Sequence, residues 1–182
     1  MPILSLGYGE NTLDVKVPQR NLLGVINPNH VKTPSDEDDE IESALSNPIG
    51  TARLSELVGK TDRVAIIASD ITRPSPTSKS LPPIVDELAA GGVSLGDIRV
   101  VFALGGHRKH AIGEMRRLLG ENMFGQVKCE DHRADNCVEV GHTRYGTTVE
   151  VLKDILQYDI VVCTGNIEPH YMAGYSGGLK AI

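Results

Sequence analysis

The chain has 182 residues, a length that favours one domain with a sizeable core. Eighteen lysines and arginines against twenty-four aspartates and glutamates give a formal charge of −6. That balance argues against a general binder of nucleic acid or anionic membrane, yet it leaves a small anionic ligand open, because a few local cations can dominate a pocket. Three cysteines without a C-x-x-C pair support neither a disulfide framework nor a structural zinc site. The N-terminus has no basic stretch leading into an apolar run, so a soluble protein in a reduced, cytoplasmic setting is expected.

Residues 3–6 and 12–17 alternate apolar and polar side chains around Gly9-Glu10-Asn11, which predicts an N-terminal β-hairpin. Ser35 precedes Asp36, Glu37, Asp38, Asp39 and Glu40, the pattern of a helix start with Ser35 as N-cap. The carboxylates there read as a solvated helix face rather than a metal site. Val64-Ala65-Ile66-Ile67-Ala68 is a continuous apolar run, as expected of a strand covered on both faces. Pro82-Pro83 precede an amphipathic helix running through Leu88, and Ile98 to Leu104 repeats the strand signal. Met115, Leu118 and Leu119 carry helical spacing up to Gly120. Shorter strands are expected at 127–130, 137–141 and 147–152, with another buried strand at 159–163. The alternation predicts an α/β, Rossmann-like domain with a largely parallel sheet, flanking helices and the N-terminal hairpin.

Three turn-rich segments follow the C-terminal ends of predicted strands, where open α/β sheets hold their ligands. They are Asp70 to Arg73, Gly105 to Arg108, and His170 to Lys180. The third, with the run from Gly165 that leads into it, packs four glycines, a histidine and a lysine after the strand Ile160-Val161-Val162-Cys163, a composition suited to an anion cradle of backbone amides. It is not a P-loop: Leu179 stands at the second glycine position, and Ala181 replaces the hydroxyl residue that reaches magnesium. Gly174-Tyr175-Ser176-Gly177-Gly178 has nucleophile-elbow spacing, but no acidic residue is evidently placed to orient His170, and a hydrolase ranks lowest. Two histidines on separate strand-end loops suit inversion at carbon, which needs proton transfer on both faces. Arg73 is a natural clamp for a carboxylate. His30, His110, His132 and His142 read as surface or structural residues, His110 within the first turn of its helix.

These segments resemble the lactate racemase family in order: Ser69-Asp70-Ile71-Thr72-Arg73-Pro74-Ser75-Pro76, then Gly105-Gly106-His107-Arg108, then Ile167-Glu168-Pro169-His170 through Ala173-Gly174-Tyr175-Ser176-Gly177-Gly178-Leu179-Lys180. The resemblance implies racemisation or epimerisation of a 2-hydroxy acid by a nickel-pincer nucleotide, that is, nickel pyridinium-3,5-bisthiocarboxylic acid mononucleotide. By the same resemblance His107 and His170 are the paired catalytic acid and base, and the substrate passes through a 2-keto acid. Arg73 binds substrate, while Asp70, Arg73, Ser176, Gly177, Gly178 and Lys180 line the cofactor site. The matching lysine, Lys180, is the one that can join the cofactor through a thioamide. Residues 1–182 then form an N-terminal catalytic and cofactor-binding domain, truncated at its C-terminal end. The family's nickel-ligating histidine and C-terminal domain lie beyond Ile182, so the expected partners are that missing domain and the small-molecule substrate, with no metal ligand in this stretch and no racemase activity from it alone. The alternative is a non-catalytic nucleotide- or phosphate-binding module that kept only the anion loop.

Overall fold

In the computed structural model Val64 to Ser69 form the strand that the apolar run predicts, with every side chain from Val64 to Ala68 buried. The structure describes residues 1–27, 29–30 and 36–182, Leu179 by its backbone alone. The chain divides into two compact units, Met1–Ser35 and Asp36–Ile182.

The first unit holds the expected hairpin. Strands β1 (Ile3–Tyr8) and β2 (Asn11–Lys16) pair antiparallel, with Tyr8 opposite Asn11. Asn11 therefore belongs to the strand, and the turn shrinks to Gly9-Glu10. Gly9 has φ +62°, the left-handed conformation that two-residue hairpin turns demand.

The second unit begins with helices α1 (Glu37–Ser46) and α2 (Leu54–Leu57). Asp36 caps α1, its carboxylate accepting the Asp38 amide at 2.8 Å. The expected cap, Ser35, lies outside the described residues. After β3 (Val64–Ser69) come α3 (Thr77–Ala90), β4 (Ile98–Ala103), α4 (Ile112–Leu119) and β5 (Lys128–Asp131). A hairpin of β6 (Cys137–His142) and β7 (Thr148–Leu152) follows, then β8 (Ile160–Cys163) and the short pair β9 (Pro169–His170) and β10 (Gly174–Tyr175). The sheet has four parallel strands in the order β5-β4-β3-β8.

Strand order decides which face each connection covers. Right-handed crossovers from β3 to β4 and from β4 to β5 advance in one direction, so their helices lie on one face. Leu81, Ile84, Val85 and Leu88 of α3 and Leu118 and Leu119 of α4 accordingly pack against Val64, Ile66, Ala68, Val100 and Phe102. The connection from β5 to β8 reverses direction and covers the other face. There, among the described residues, Ala65, Ile67 and Val101 are covered by Leu152, Ile155, Tyr158 and Ala181, carried by the end of β7, the residue after a 3₁₀ turn and short 3₁₀ segments. One face has full helices and the other a thin cover. The chain reverses between β3 and β8, a topological switch point of the kind at which α/β sheets open a crevice.

Two expectations about these elements are corrected. Helix α3 starts at Thr77 and contains Pro82 and Pro83 rather than following them. Each proline lacks an N–H, which costs the carbonyls of Ser78 and Lys79 their intrahelical partners. Burial of Thr77, Leu81, Ile84, Val85 and Leu88 along one side holds the helix together nonetheless. Strand β8 is also less buried than its apolar sequence suggests: among the described residues it pairs with β3 alone, and Val161 is 39% exposed. Among the described residues no helix is long and apolar enough to cross a membrane.

Candidate active site

Loops at the C-terminal ends of β3, β4 and β8 meet around a cleft of about 400 Å³, lined among others by Asp70, Arg73, His107, Asn166, Gly177 and Lys180. Its floor is the thinly covered sheet face, from Ile67, Val101 and Ala103.

Asp70 follows β3 directly and is 3% exposed. Its Oδ1 accepts the Thr72 amide at 2.7 Å and the Thr72 hydroxyl at 2.6 Å, an Asx-type turn that fixes the loop. Its Oδ2 lies 2.7 Å from Nδ1 of His107. Burial alone would push this carboxyl up, but the hydrogen bonds from Thr72 and His107 outweigh it and hold the group below the ordinary carboxylate range. The ionised acid faces Nδ1, so Nδ1 carries the ring proton and Nε2 is left as the basic nitrogen. The side chain of His107 is 43% exposed, open enough to meet a ligand.

Arg73 and Lys180 both line this cleft, and among the described residues neither forms an ion pair. Arg108 of the same motif as His107 behaves differently. Its guanidinium reaches both oxygens of Glu114 at 2.7 and 2.8 Å, and Glu114 also accepts the Ala111 amide at the start of α4. The Arg108 hydrogen bonds hold the Glu114 carboxyl down at about 2. Arg108 thus anchors the helix start.

The glycine-rich segment is tied to itself over residues 174–176. Gly174 and Tyr175 pair with His170 and Pro169 as β10 against β9, and the Ser176 amide donates to the Glu168 carbonyl at 2.9 Å. The Ser176 hydroxyl donates to the Asn166 carbonyl at 2.8 Å and accepts the Glu168 amide at 3.0 Å. Ser176 is therefore a staple across its own loop, with one acceptor lone pair left toward the cleft and no hydrogen bond to His170 for nucleophilic chemistry. Gly177 is required by space and conformation together: φ is +82°, and a Cβ would lie 2.9 Å from the Asn166 carbonyl oxygen. Gly178 has φ +51° and opens the 3₁₀ turn Gly178–Ala181 that carries Lys180 to the cleft.

His170 is not among the residues lining the cleft. Its Nδ1 accepts the amides of Met172 and Ala173 at 3.2 and 3.1 Å, and its ring stacks on Tyr171 with centroids 5.1 Å apart. The β9–β10 pairing holds it there, so the structure gathers Asp70, Arg73, His107, Ser176, Gly177 and Lys180 and leaves His170 outside. Conversely His132, read from sequence as surface or structural, lines the cleft, as does Glu150. Both sit on the β5–β8 connection, His132 just after β5 and Glu150 within β7, and its path over the sheet carries no local sequence signal. Among the described residues no group of three or more His, Cys, Asp or Glu side chains is arranged to hold a metal ion.

The profile of the lactate racemase N-terminal domain matches residues 8–182. The chain belongs to that family. A lactate racemase of Thermoanaerobacterium thermosaccharolyticum is 32% identical over an alignment spanning all of this chain and 44% of that protein. One from Lactiplantibacillus plantarum is 28% identical over the same shares. The chain thus spans less than half the length of these curated relatives. The solved lactate racemase apoprotein of T. thermosaccharolyticum superposes with a TM-score of 0.81 at 31% identity, covering 100% of this chain and 43% of that one. A Thermotoga maritima protein of known structure, 20% identical with a TM-score of 0.60, shares the fold over 84% of this chain and 39% of its own. In this lactate racemase N-terminal domain the three motifs coincide with the three loops that meet at the switch point.

Proposed function

We propose that this domain is the base-bearing half of an enzyme that racemises or epimerises a 2-hydroxy acid. The observation that carries the reading is the Asp70–His107 pair at the mouth of a cleft also lined by two cations. Family membership supports it, and a pure nucleotide-binding module has no need of an oriented imidazole.

In this proposal Nε2 of His107 takes the proton of the substrate hydroxyl, and Asp70 stabilises the imidazolium that results. Arg73 holds the substrate carboxylate through its guanidinium fork, which fixes the hydroxyl relative to His107. The nickel-pincer nucleotide, when bound, supplies the hydride acceptor. Two observations bear on whether these residues suit it. Arg73 and Lys180 are cations without ion-pair partners among the described residues, in a cleft of about 400 Å³, which suits an anionic nucleotide. The 3₁₀ turn Gly178–Ala181 carries Lys180 to that cleft, at the end of the glycine-rich segment. Lys180 is the residue that would hold the cofactor, with Arg73 in the same cleft. Accepting two amides at Nδ1 leaves the proton of neutral His170 on Nε2, and the observed bonds occupy only Nδ1. For His170 to act as the second base, the β9–β10 pair must carry it to the cleft.

The test uses the polypeptide continued over the full length of the relatives and loaded with cofactor. Chiral chromatography of a 2-hydroxy-acid panel should show interconversion of stereoisomers. Turnover that survives His107→Ala unchanged would refute the role given to His107.

A further inference from the structure

His110 and Asp131 form a second, buried carboxylate–imidazole pair, one layer beneath the first. The side chain of His110 is 1% exposed and that of Asp131 7%. Asp131 ends β5, where it pairs with Phe102 of β4. Its Oδ2 accepts the His110 amide at 2.8 Å, and its Oδ1 lies 2.5 Å from Nδ1 of the same residue. The ring sits edge-on to Phe102, centroids 5.0 Å apart. One carboxylate therefore fixes both the backbone and the ring of His110.

The other ring nitrogen points at the first pair. Nε2 of His110 accepts the Ile71 amide at 3.0 Å. Only an unprotonated nitrogen can accept, so the ring proton sits on Nδ1 and is donated to Asp131. Ile71 immediately follows Asp70, whose carboxylate orients His107. The β4 loop, running from His107 to His110, is thus stitched to the β3 loop at both ends, with Thr72 Oγ1 a further 3.4 Å contact to Nδ1 of His107. One stitch is Asp70 to His107 and the other is Ile71 to His110.

We propose that His110 is a positioning residue for His107: by accepting the Ile71 amide it sets the Asp70 backbone, and with it the carboxylate that keeps the His107 proton on Nδ1. The proposal rests on the role given to His107 above, but its test does not depend on activity. Glutamine and asparagine separate the two functions of the His110 ring. In His110→Gln the side-chain carbonyl can reach the position of Nε2 and still accept the Ile71 amide. In His110→Asn the amide can replace the Nδ1–H toward Asp131, but nothing reaches Ile71.

The 182-residue chain, labelled with nitrogen-15, is examined by imidazole nitrogen NMR in mildly alkaline buffer. The wild type should show a scalar coupling across the hydrogen bond between the Ile71 nitrogen and Nε2 of His110, and His107 in its Nδ1–H tautomer. His110→Gln should keep that tautomer as the major form. His110→Asn should lose it, with His107 reverting to the Nε2–H tautomer that free imidazole side chains favour. A wild type without the coupling, or a folded His110→Asn chain that keeps the Nδ1–H tautomer, would overturn the proposal. So would a His110→Asn chain that fails to fold while His110→Gln folds, since the bond would then serve the fold and not His107. Loss of racemisation in the full-length enzyme with this NMR pattern intact would count against the proposed reaction alone.

Discussion

His107 and Asp70 meet across two strand-end loops, Nδ1 to Oδ2 at 2.7 Å, although they are 37 positions apart in sequence. The parallel pairing of β3 with β4, in which Ser69 lies opposite Ala103, brings the loops together. From there the Asx-type turn at Thr72 aims the acid. The dyad is thus a product of register, and any change that shifts β3 against β4 removes it.

The first prediction concerns acid stability. Asp70 is held below its ordinary range when folded, so its contribution is present above the unfolded carboxylate range and is lost as pH falls through the depressed folded value. Replacing Asp70 with Asn removes the charge that Thr72 and His107 share, and should cost about 1–3 kcal/mol at neutral pH. Urea denaturation of the two proteins should show that gap at neutral pH and show it closing in strong acid. A gap that stays constant with pH would mean that the charge is not the source of the stabilisation.

The second prediction concerns Gly177. A methyl group there meets the Asn166 carbonyl oxygen at 2.9 Å and Ile167 Cγ1 at 3.1 Å, in a backbone conformation with φ +82° that L-residues avoid. Because the nearest obstacle is backbone, it cannot swing aside. Gly177→Ala should destabilise the loop by about 1–3 kcal/mol, read as faster hydrogen exchange at the Ser176 amide and in the overall unfolding curve. Gly178→Ala meets open space and carries only the conformational penalty of φ +51°, so it should cost less.

Much of this was legible in the sequence, for identifiable reasons. Val64 to Ala68 are buried on both faces and written as an unbroken apolar run, and Ile98 to Ala103 repeat the signal with half-buried Arg99 as the one break. That the β3, β4 and β8 loops share a crevice followed from the strand-end rule once those strands were found. What stayed hidden depends on long-range pairing or on competition between local signals. Pro82 and Pro83 read as a helix start because local sequence cannot show that tertiary burial carries a helix through two missing hydrogen bonds. His110 is not in the first turn of α4 and not at the surface; its partner Asp131 is 21 positions away and arrives through β5. The glycines after β8 suggested an open loop, whereas the Ser176 staple to Asn166 and Glu168 and the pairing of Gly174 in β10 tie the segment to itself.

A third prediction follows from the cations of the cleft. Nicotinic acid mononucleotide carries the phosphate and ring carboxylate that Arg73 and Lys180 can meet. Calorimetric titration should detect binding to the 182-residue chain, weakened roughly tenfold in Arg73→Ala, about the loss of one charge-assisted hydrogen bond. Lys180→Ala should weaken it similarly, and Lys79→Ala, whose partner is Glu37 on α1, should not. Equal binding by all four proteins would place the nucleotide elsewhere.

The last prediction decides the second base. If His170 acts on the face of the substrate opposite His107, the β9–β10 pair must leave its observed position when ligand binds, because His170 lies outside the cleft and its Nδ1 is held by Met172 and Ala173. In the full-length, cofactor-loaded enzyme, His170→Ala should then slow racemisation by about 10²- to 10⁴-fold, the range of one general acid or base, with substrate affinity largely kept. Hydrogen exchange should show the amides of Met172 and Ala173 losing protection on ligand binding, since their acceptor has moved. His132 already lines the cleft and gives the competing assignment. Full turnover in His170→Ala with a severe loss in His132→Ala would transfer the second proton to His132. That arrangement needs no movement of the loop, so unchanged exchange at Met172 and Ala173 would accompany it.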